Sequence, residues 1–162
     1  MTALFAALRT LFFATLFFWL WMILGLWASR FDGTFGGPLP SWTSPIGIVL
    51  ALAGAALALT CAGLFAIRGK GTPAPFDPPR SLVAFGPYRA IRNPMYVGGW
   101  LIIAGSALIA RSSSVFVFSF AFLVLAHVFV ILYEEPTLTS KFGAAYEQYR
   151  NSVPRWIPKL IS

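Results

Sequence analysis

"MYVGGWLIIAGSALIARSSSVFVFSFAFLVLAHVFVILY", residues 95–133, holds two apolar runs divided by a short polar link. The first, residues 95–110, is short, and the second, residues 115–133, is about one membrane span. Between them lies only "RSSS", residues 111–114. So short a link predicts an antiparallel helical hairpin. The hairpin is entered through "GPYRAIRNPMYVGG", residues 86–99, which sets Arg89, Arg92 and Asn93 directly before an apolar helix. Polar and charged groups at the doorstep of a bilayer helix call for an explanation.

Upstream lie two further apolar runs. Residues 11–28, "LFFATLFFWLWMILGLWA", are too long and too aromatic for a signal-peptide core, and no clean cleavage pattern follows. Residues 46–67, "IGIVLALAGAALALTCAGLFAI", are rich in Gly and Ala, which let helices approach closely. Both are long enough to cross a hydrocarbon core of about 30 Å. The expected fold class is therefore all-α: a polytopic membrane protein of about four transmembrane helices ending in the hairpin, plus a C-terminal amphipathic helix. The 162 residues are 58% hydrophobic and 10% charged, against roughly 25% charged in a soluble domain. They are expected to form one domain, with two transmembrane helices in 1–67 and the functional core in 68–158.

Charge orients the chain. With four crossings, both termini and the 68–94 loop share a side. It collects Arg9, Arg68, Lys70, Arg80, Arg89, Arg92, Lys141, Arg150, Arg155 and Lys159, and leaves only Arg30 and Arg111 opposite. The positive-inside rule makes that side cytoplasmic, as in a bacterial-type inner membrane. The net charge of +7 is then read as topology and lipid-headgroup attraction, not nucleic-acid binding. The lone Cys61, inside an apolar run, excludes an intramolecular disulfide and reads as a small buried hydrophobe.

On this topology the 68–94 loop and the tail after Glu134 can meet. Pro73, Pro75, Pro78 and Pro79 forbid a regular helix in the loop, while Phe76, Leu82, Val83 and Phe85 suggest that it packs over something. In the tail, Thr139 is expected to cap a helix running to about Asn151, with Phe142, Ala145, Tyr146 and Tyr149 on one face and Pro154 ending it. Trp19, Trp21, Trp27 and Trp42 read as interfacial or packing residues.

Three polar groups need explaining. Glu134 and Glu135 follow nineteen mostly apolar residues. Adjacent acids at a helix C-terminus are disfavoured by the macrodipole, so they read either as an interfacial pair neutralised by arginine or as a ligand site. His127, the single histidine, falls on nearly the same helical face as Glu134. It is either functional or hydrogen-bonded to a Ser or Thr of another helix. One His and two Glu do not plainly make a metal site, and none is expected. Aromatic rings, arginines and paired carboxylates at the bilayer surface suit a charged, aromatic ligand handled beside a lipid; S-adenosyl-L-methionine fits that description, although composition alone does not single it out. Its ribose diol and ammonium want carboxylates, its carboxylate wants arginine or backbone N–H donors, and its sulfonium gains from tyrosine faces.

The chain resembles the superfamily of integral membrane methyltransferases that holds isoprenylcysteine carboxyl methyltransferases and phospholipid N-methyltransferases. The resemblance runs over residues 68–158 and is carried by "GPYRAIRNPMYVGG", "YEEPTL" and "FGAAYEQYRNSVPRWIP", with "RGKGTPAP" as a weaker marker. It implies S-adenosyl-L-methionine as cofactor, bound between the terminal hairpin and the preceding loop. Ser81, Leu82 and Val83 would line the pocket, and Tyr88 would contact the cofactor. Asn93, Pro94, Met95 and Tyr96 match the family's R-H/N-P-x-Y element, and Glu134, with Glu135 beside it, matches the acidic cofactor contact. Asn93 stands where the isoprenylcysteine branch has histidine, and Val130 where that branch has a substrate-contacting arginine.

The expected reaction is methyl transfer to a lipophilic substrate such as a phospholipid amine, with a prenylcysteine or other isoprenoid carboxylate as the alternative. A carboxylate acceptor would need only positioning by Arg92 or Arg155. An amine must be neutral, and Glu135 or His127 could accept its proton. Arg155, between Pro154 and Pro158, would grip a phosphate or carboxylate headgroup, with Trp156 anchored at the lipid surface. A reading of another class is a non-catalytic membrane scaffold or transporter subunit. Expected partners are membrane lipid and the lipophilic substrate.

Overall fold

The computed structural model describes residues 3–65 and 81–158. Arg68, Lys70, Arg80, Lys159, Phe76, the four loop prolines and "RGKGTPAP" lie outside the described residues. So does the end of the second expected run.

Six α-helices make the described part: α1 Ala3–Ala28, α2 Thr43–Leu64, α3 Pro94–Ile109, α4 Ser113–Phe129, α5 Glu135–Phe142 and α6 Ala144–Ser152. Among the described residues the only β pairing is an isolated bridge between Pro38 and Ser112. Among the described residues, two helices are long and apolar enough to cross a membrane: Thr43–Leu64, and the continuous 30-residue helix Ser113–Phe142. Only 17% and 22% of their most apolar stretches are buried inside the molecule. A soluble core helix of that composition would be mostly buried. Here Leu52, Leu59, Val124, Leu125 and Leu132 point outward instead, which water tolerates poorly and lipid well. Pro94–Ile109 is apolar but shorter.

α2 and α3 run antiparallel with their backbones in contact. A Cβ added at Gly54 would stand 2.6 Å from the Gly98 carbonyl oxygen, and one at Gly105 would stand 2.6 Å from that of Gly47. The four glycines form a seam spaced by seven residues on each helix, so the same face returns every two turns. The Thr43 hydroxyl donates to the Pro40 carbonyl at 2.7 Å and lies 3.3 Å from that of Leu108, and Ser44 donates to the Ile109 carbonyl at 3.4 Å. The Ser44 bond meets a carbonyl that the end of α3 leaves without a helical partner.

At the same end, the hairpin link is stitched to the segment after α1. The Asp32 carboxylate accepts from the Ser114 backbone N–H at 2.9 Å and from the hydroxyls of Ser114 and Ser112 at 2.6 and 2.8 Å. It thus lies at the N-terminus of α4, where a helix favours negative charge. Burial acts to raise the Asp32 carboxyl, but the bonds from Ser114, Ser112 and Ser113 outweigh it and hold the group below the usual 3.8. Arg111 takes a left-handed φ of 57° in the tight link, and its Nε donates to the Leu39 carbonyl at 2.7 Å.

The sequence places the end of the last apolar helix at the two acids; the structure does not. α4 passes through a π-turn, Val130–Glu134, straight into α5. The widened turn eases the clash that Pro136 would otherwise make with the preceding turn, so the helix survives the proline. The macrodipole therefore has no terminus at Glu134 to act on. Thr139 is not a cap either: its hydroxyl donates back to the Glu135 carbonyl at 2.8 Å. The break falls at Gly143, with φ +52°, and α6 begins there. Val153 is extended before Pro154, as a residue preceding proline prefers.

Candidate active site

At the end opposite Asp32, three elements converge: the 81–93 segment, the π-turn with α5, and the tail 153–157. Successive helical residues point about 100° apart, so Glu134 and Glu135 face different partners. Glu134 meets α3, where the Tyr96 hydroxyl donates to its Oε2 at 2.8 Å. Glu135 meets the tail and the loop. Arg155 donates from Nε to Oε1 at 2.8 Å and from Nη2 to Oε2 at 3.0 Å, and Arg92 Nη1 stands 3.1 Å from Oε1. Glu135 is 8% exposed. A carboxylate so buried needs this pairing, and the bond to Glu135 in turn holds Arg155 more firmly in its charged form.

The tail is laced to the loop. The Arg92 N–H donates to the Pro154 carbonyl at 2.9 Å, and Asn93 Nδ2 to the Arg155 carbonyl at 3.2 Å. The Tyr149 hydroxyl donates to the Tyr88 carbonyl at 2.7 Å. Burial, reinforced by Tyr146, pushes the Tyr149 phenol up and keeps it a donor. Trp156 Nε1 donates to His127 Nδ1 at 2.9 Å. His127 is thus hydrogen-bonded, to the tail indole and not to a helix Ser or Thr. The acceptor nitrogen cannot also carry a proton, so Nδ1 is closed as a base. Trp156 is half-buried beside Tyr96, with ring centroids 6.4 Å apart, instead of lying out in lipid.

The residues implied as cofactor contacts divide in two. Val83, Tyr88 and Met95 pack with Cys61 of α2 in an apolar cluster. Cys61 is fully buried. Tyr96 and Glu134 form the hydrogen-bonded pair beside them, and Asn93 and Pro94 are buried where α3 starts. Leu82 is half-buried and Ser81 exposed, so the structure draws Ser81 least into this cluster. Arg92, Glu135 and Arg155 gather in one ion cluster. Both oxygens of Glu135 are engaged there, so its geometry fits a group that positions two arginines better than one that accepts a proton. Neither Tyr149 nor the His127–Trp156 bond was singled out by the sequence as a site contact. The shared face of Tyr146 and Tyr149 was the available signal.

Among the described residues no group of three or more His, Cys, Asp or Glu could hold a metal ion. The profile of the phospholipid methyltransferase family matches residues 42–145, from the start of α2 to the start of α6. The chain belongs to this family. Its match to the phospholipid methyltransferases covers the hairpin, Tyr96 and both acids, and stops before Arg150, Arg155 and Trp156. The chain is 33% identical over 137 residues to the cobalt-zinc-cadmium resistance protein CzcN of Cupriavidus metallidurans, covering 82% of this chain and 55% of that one. It is 42% identical over 82 residues to the protein-S-isoprenylcysteine O-methyltransferase of Schizosaccharomyces pombe, covering 49% of this chain and 34% of that one. The chain thus spans about half or less of the length of these relatives. No solved structure matches it. Family membership and two helices able to cross a bilayer make it a membrane protein.

Proposed function

We propose that the chain is an S-adenosyl-L-methionine-dependent methyltransferase acting on a lipophilic substrate at the membrane surface, with a phospholipid amine as the acceptor. The observation that carries the reading is the Tyr96–Glu134 pair, set inside the family match.

The residues present fit the cofactor. Glu134 spends one acceptor position on Tyr96 and keeps others for hydroxyl or ammonium donors. Tyr88 and Tyr96 offer ring faces to a sulfonium. Arg92 Nε is buried with no hydrogen-bond partner among the described residues, a donor left for a carboxylate. When bound, the cofactor supplies an electrophilic methyl carbon and a neutral thioether leaving group. The chain's own work is positioning, which can supply much of the acceleration of such a displacement. Glu135 fixes Arg92 and Arg155, and Arg92 joins the tail to the entrance of α3. A neutral amine acceptor sheds its proton after attack, and with Glu135 and His127 Nδ1 both engaged the proton leaves to water at the interface.

The proposed topology has four crossings in a bacterial-type inner membrane, both termini and the site cytoplasmic, and one domain throughout. A second reading, methylation of a prenylcysteine carboxylate, is favoured by the identity to the Schizosaccharomyces pombe enzyme. Asn93 and Val130 weigh against it. The deciding experiment incubates the purified protein in lipid with methyl-labelled cofactor and an extract of native membranes. Label in an alkali-stable headgroup supports the amine, and label released by mild base supports the ester. If the protein neither binds the cofactor nor labels any product, a scaffold or transporter subunit replaces the enzyme.

A further inference from the structure

α5 and α6 leave between them an open groove of about 450 Å³, lined by Ile131, Glu135, Pro136, Thr139, Ser140 and Arg150. Tyr96 and Glu134 do not line it. We infer that this groove is a binding site for the phosphate of a membrane lipid, with the acyl chains lying along the outer face of the π-turn. The inference rests on the membrane placement and not on the methyl-transfer reading, and it holds whether or not the held lipid is itself methylated.

Charge is the first argument. Arg150 is exposed and makes no hydrogen bond or ion pair among the described residues. Glu135 would repel a phosphate if its charge stood alone. It does not: Arg155 grips both of its oxygens and Arg92 stands 3.1 Å from Oε1. With Glu135 taken up by Arg155 and Arg92, Arg150 is the lining charge left over, and it matches the single negative charge of a phosphodiester. The donors can also be named. The Thr139 hydroxyl proton is already given to the Glu135 carbonyl, so Arg150 and Ser140 are the lining groups that donate. A guanidinium presents paired N–H groups suited to two phosphate oxygens.

The apolar wall is the second argument, and it selects a lipid over free phosphate. Ile131 is 39% exposed, and next to it Leu132 is 73% exposed. Both lie on the membrane-compatible helix Ser113–Phe142, so the groove opens onto the surface that hydrocarbon must cover. Its polar lining stands at the headgroup level of that helix, after the apolar stretch has ended.

The test uses the full chain, purified in mild detergent and offered phosphatidylglycerol or diacylglycerol, with retained lipid read by native mass spectrometry. The wild type should retain phosphatidylglycerol and not diacylglycerol. Arg150→Gln should cut retention about tenfold, the loss expected from one charge-assisted contact, with Arg150→Lys between. Cofactor binding and the unfolding temperature of Arg150→Gln should match the wild type, which separates a lost lipid site from a lost fold. Equal retention by Arg150→Gln, equal retention of diacylglycerol, or full displacement by millimolar inorganic phosphate would each overturn the lipid assignment. Failure of the wild type to bind the cofactor would sink the methyltransferase reading and leave this one standing.

Discussion

Arg155 meets Glu135 through two parallel hydrogen bonds, Nε to Oε1 at 2.8 Å and Nη2 to Oε2 at 3.0 Å. One partner comes from the extended tail and the other from the turn where a membrane helix widens and continues past a proline. The pair fixes the tail across the site, and Arg92 shares the same carboxylate. A double-mutant cycle with Glu135→Gln and Arg155→Lys should give a coupling of about 0.5–3 kcal/mol in unfolding free energy. Lysine keeps the charge and loses the fork. Additive effects in thermal unfolding would mean that the contact is an exposed ion pair of little consequence, and the tail would then be held by its backbone bonds alone.

Glu134 faces a different element, α3, where it meets Tyr96. Glu134→Gln should weaken S-adenosyl-L-methionine binding by about 1.5–3 kcal/mol, the value of a charge-assisted contact. Tyr96→Phe should weaken it less, since the carboxylate remains. Calorimetry on the two variants and the wild type decides. Unchanged affinity in Glu134→Gln would remove this residue from the cofactor site.

Part of this arrangement was legible in the sequence. The "RSSS" link between two apolar runs called for a hairpin, and α3 and α4 are antiparallel neighbours. The glycines of the second run called for close helix contact, and Gly47 and Gly54 meet Gly105 and Gly98. Patterns of this kind are local or periodic, and so they can be read. The continuation of the helix past Pro136 was not legible, because a π-turn depends on one hydrogen-bond register and leaves no composition signal. Asp32 was also missed. Its partners are 80–82 residues away, and a lone acid in a loop looks the same with or without three serines around it. The pairing of Glu135 with Arg92 and Arg155, as against Glu134 with Tyr96, turns on a helical phase that the misplaced helix end concealed.

The glycine seam predicts a sharp contrast within one helix. At Gly54 an added Cβ would lie 2.6 Å from the Gly98 carbonyl oxygen and 2.9 Å from the Ile102 nitrogen, so backbone must move. At Gly63, also in α2, an added Cβ meets nothing within 4 Å. Gly54→Val should destabilise by at least the about 1–3 kcal/mol typical of overpacking. Gly63→Ala should be neutral or stabilise by about 0.5–1 kcal/mol through helix propensity. Thermal unfolding in one detergent compares them. Equal tolerance at the two positions would show that α2 and α3 are not in backbone contact.

The Asp32 cluster predicts a pH dependence whose sign is fixed by the direction of the shift. Four hydrogen bonds from Ser112, Ser113 and Ser114 overcome the effect of burial and hold the folded carboxyl below its usual 3.8. A group depressed in the folded state binds protons more readily in the unfolded one, so stability falls as the pH falls. The contribution is fully present above the ordinary carboxyl range. It is lost as the pH drops below 3.8 and through the folded value. Asp32→Asn removes the titration and keeps an acceptor for the Ser114 N–H. The stability gap between wild type and Asp32→Asn should therefore be constant near neutral pH and narrow only on the acid side of that value. Ser114→Ala, which removes the hydroxyl at 2.6 Å, should make the narrowing smaller and end it at a higher pH, because the folded carboxyl loses one of the bonds that depress it while the unfolded one is unchanged. Unfolding temperatures measured on the three proteins from pH 7 down to about 3 supply the comparison. A gap that closes already near pH 6, or one that widens in acid, would show that the carboxylate is not held by the hairpin serines, and the link between α3 and α4 would then need another anchor.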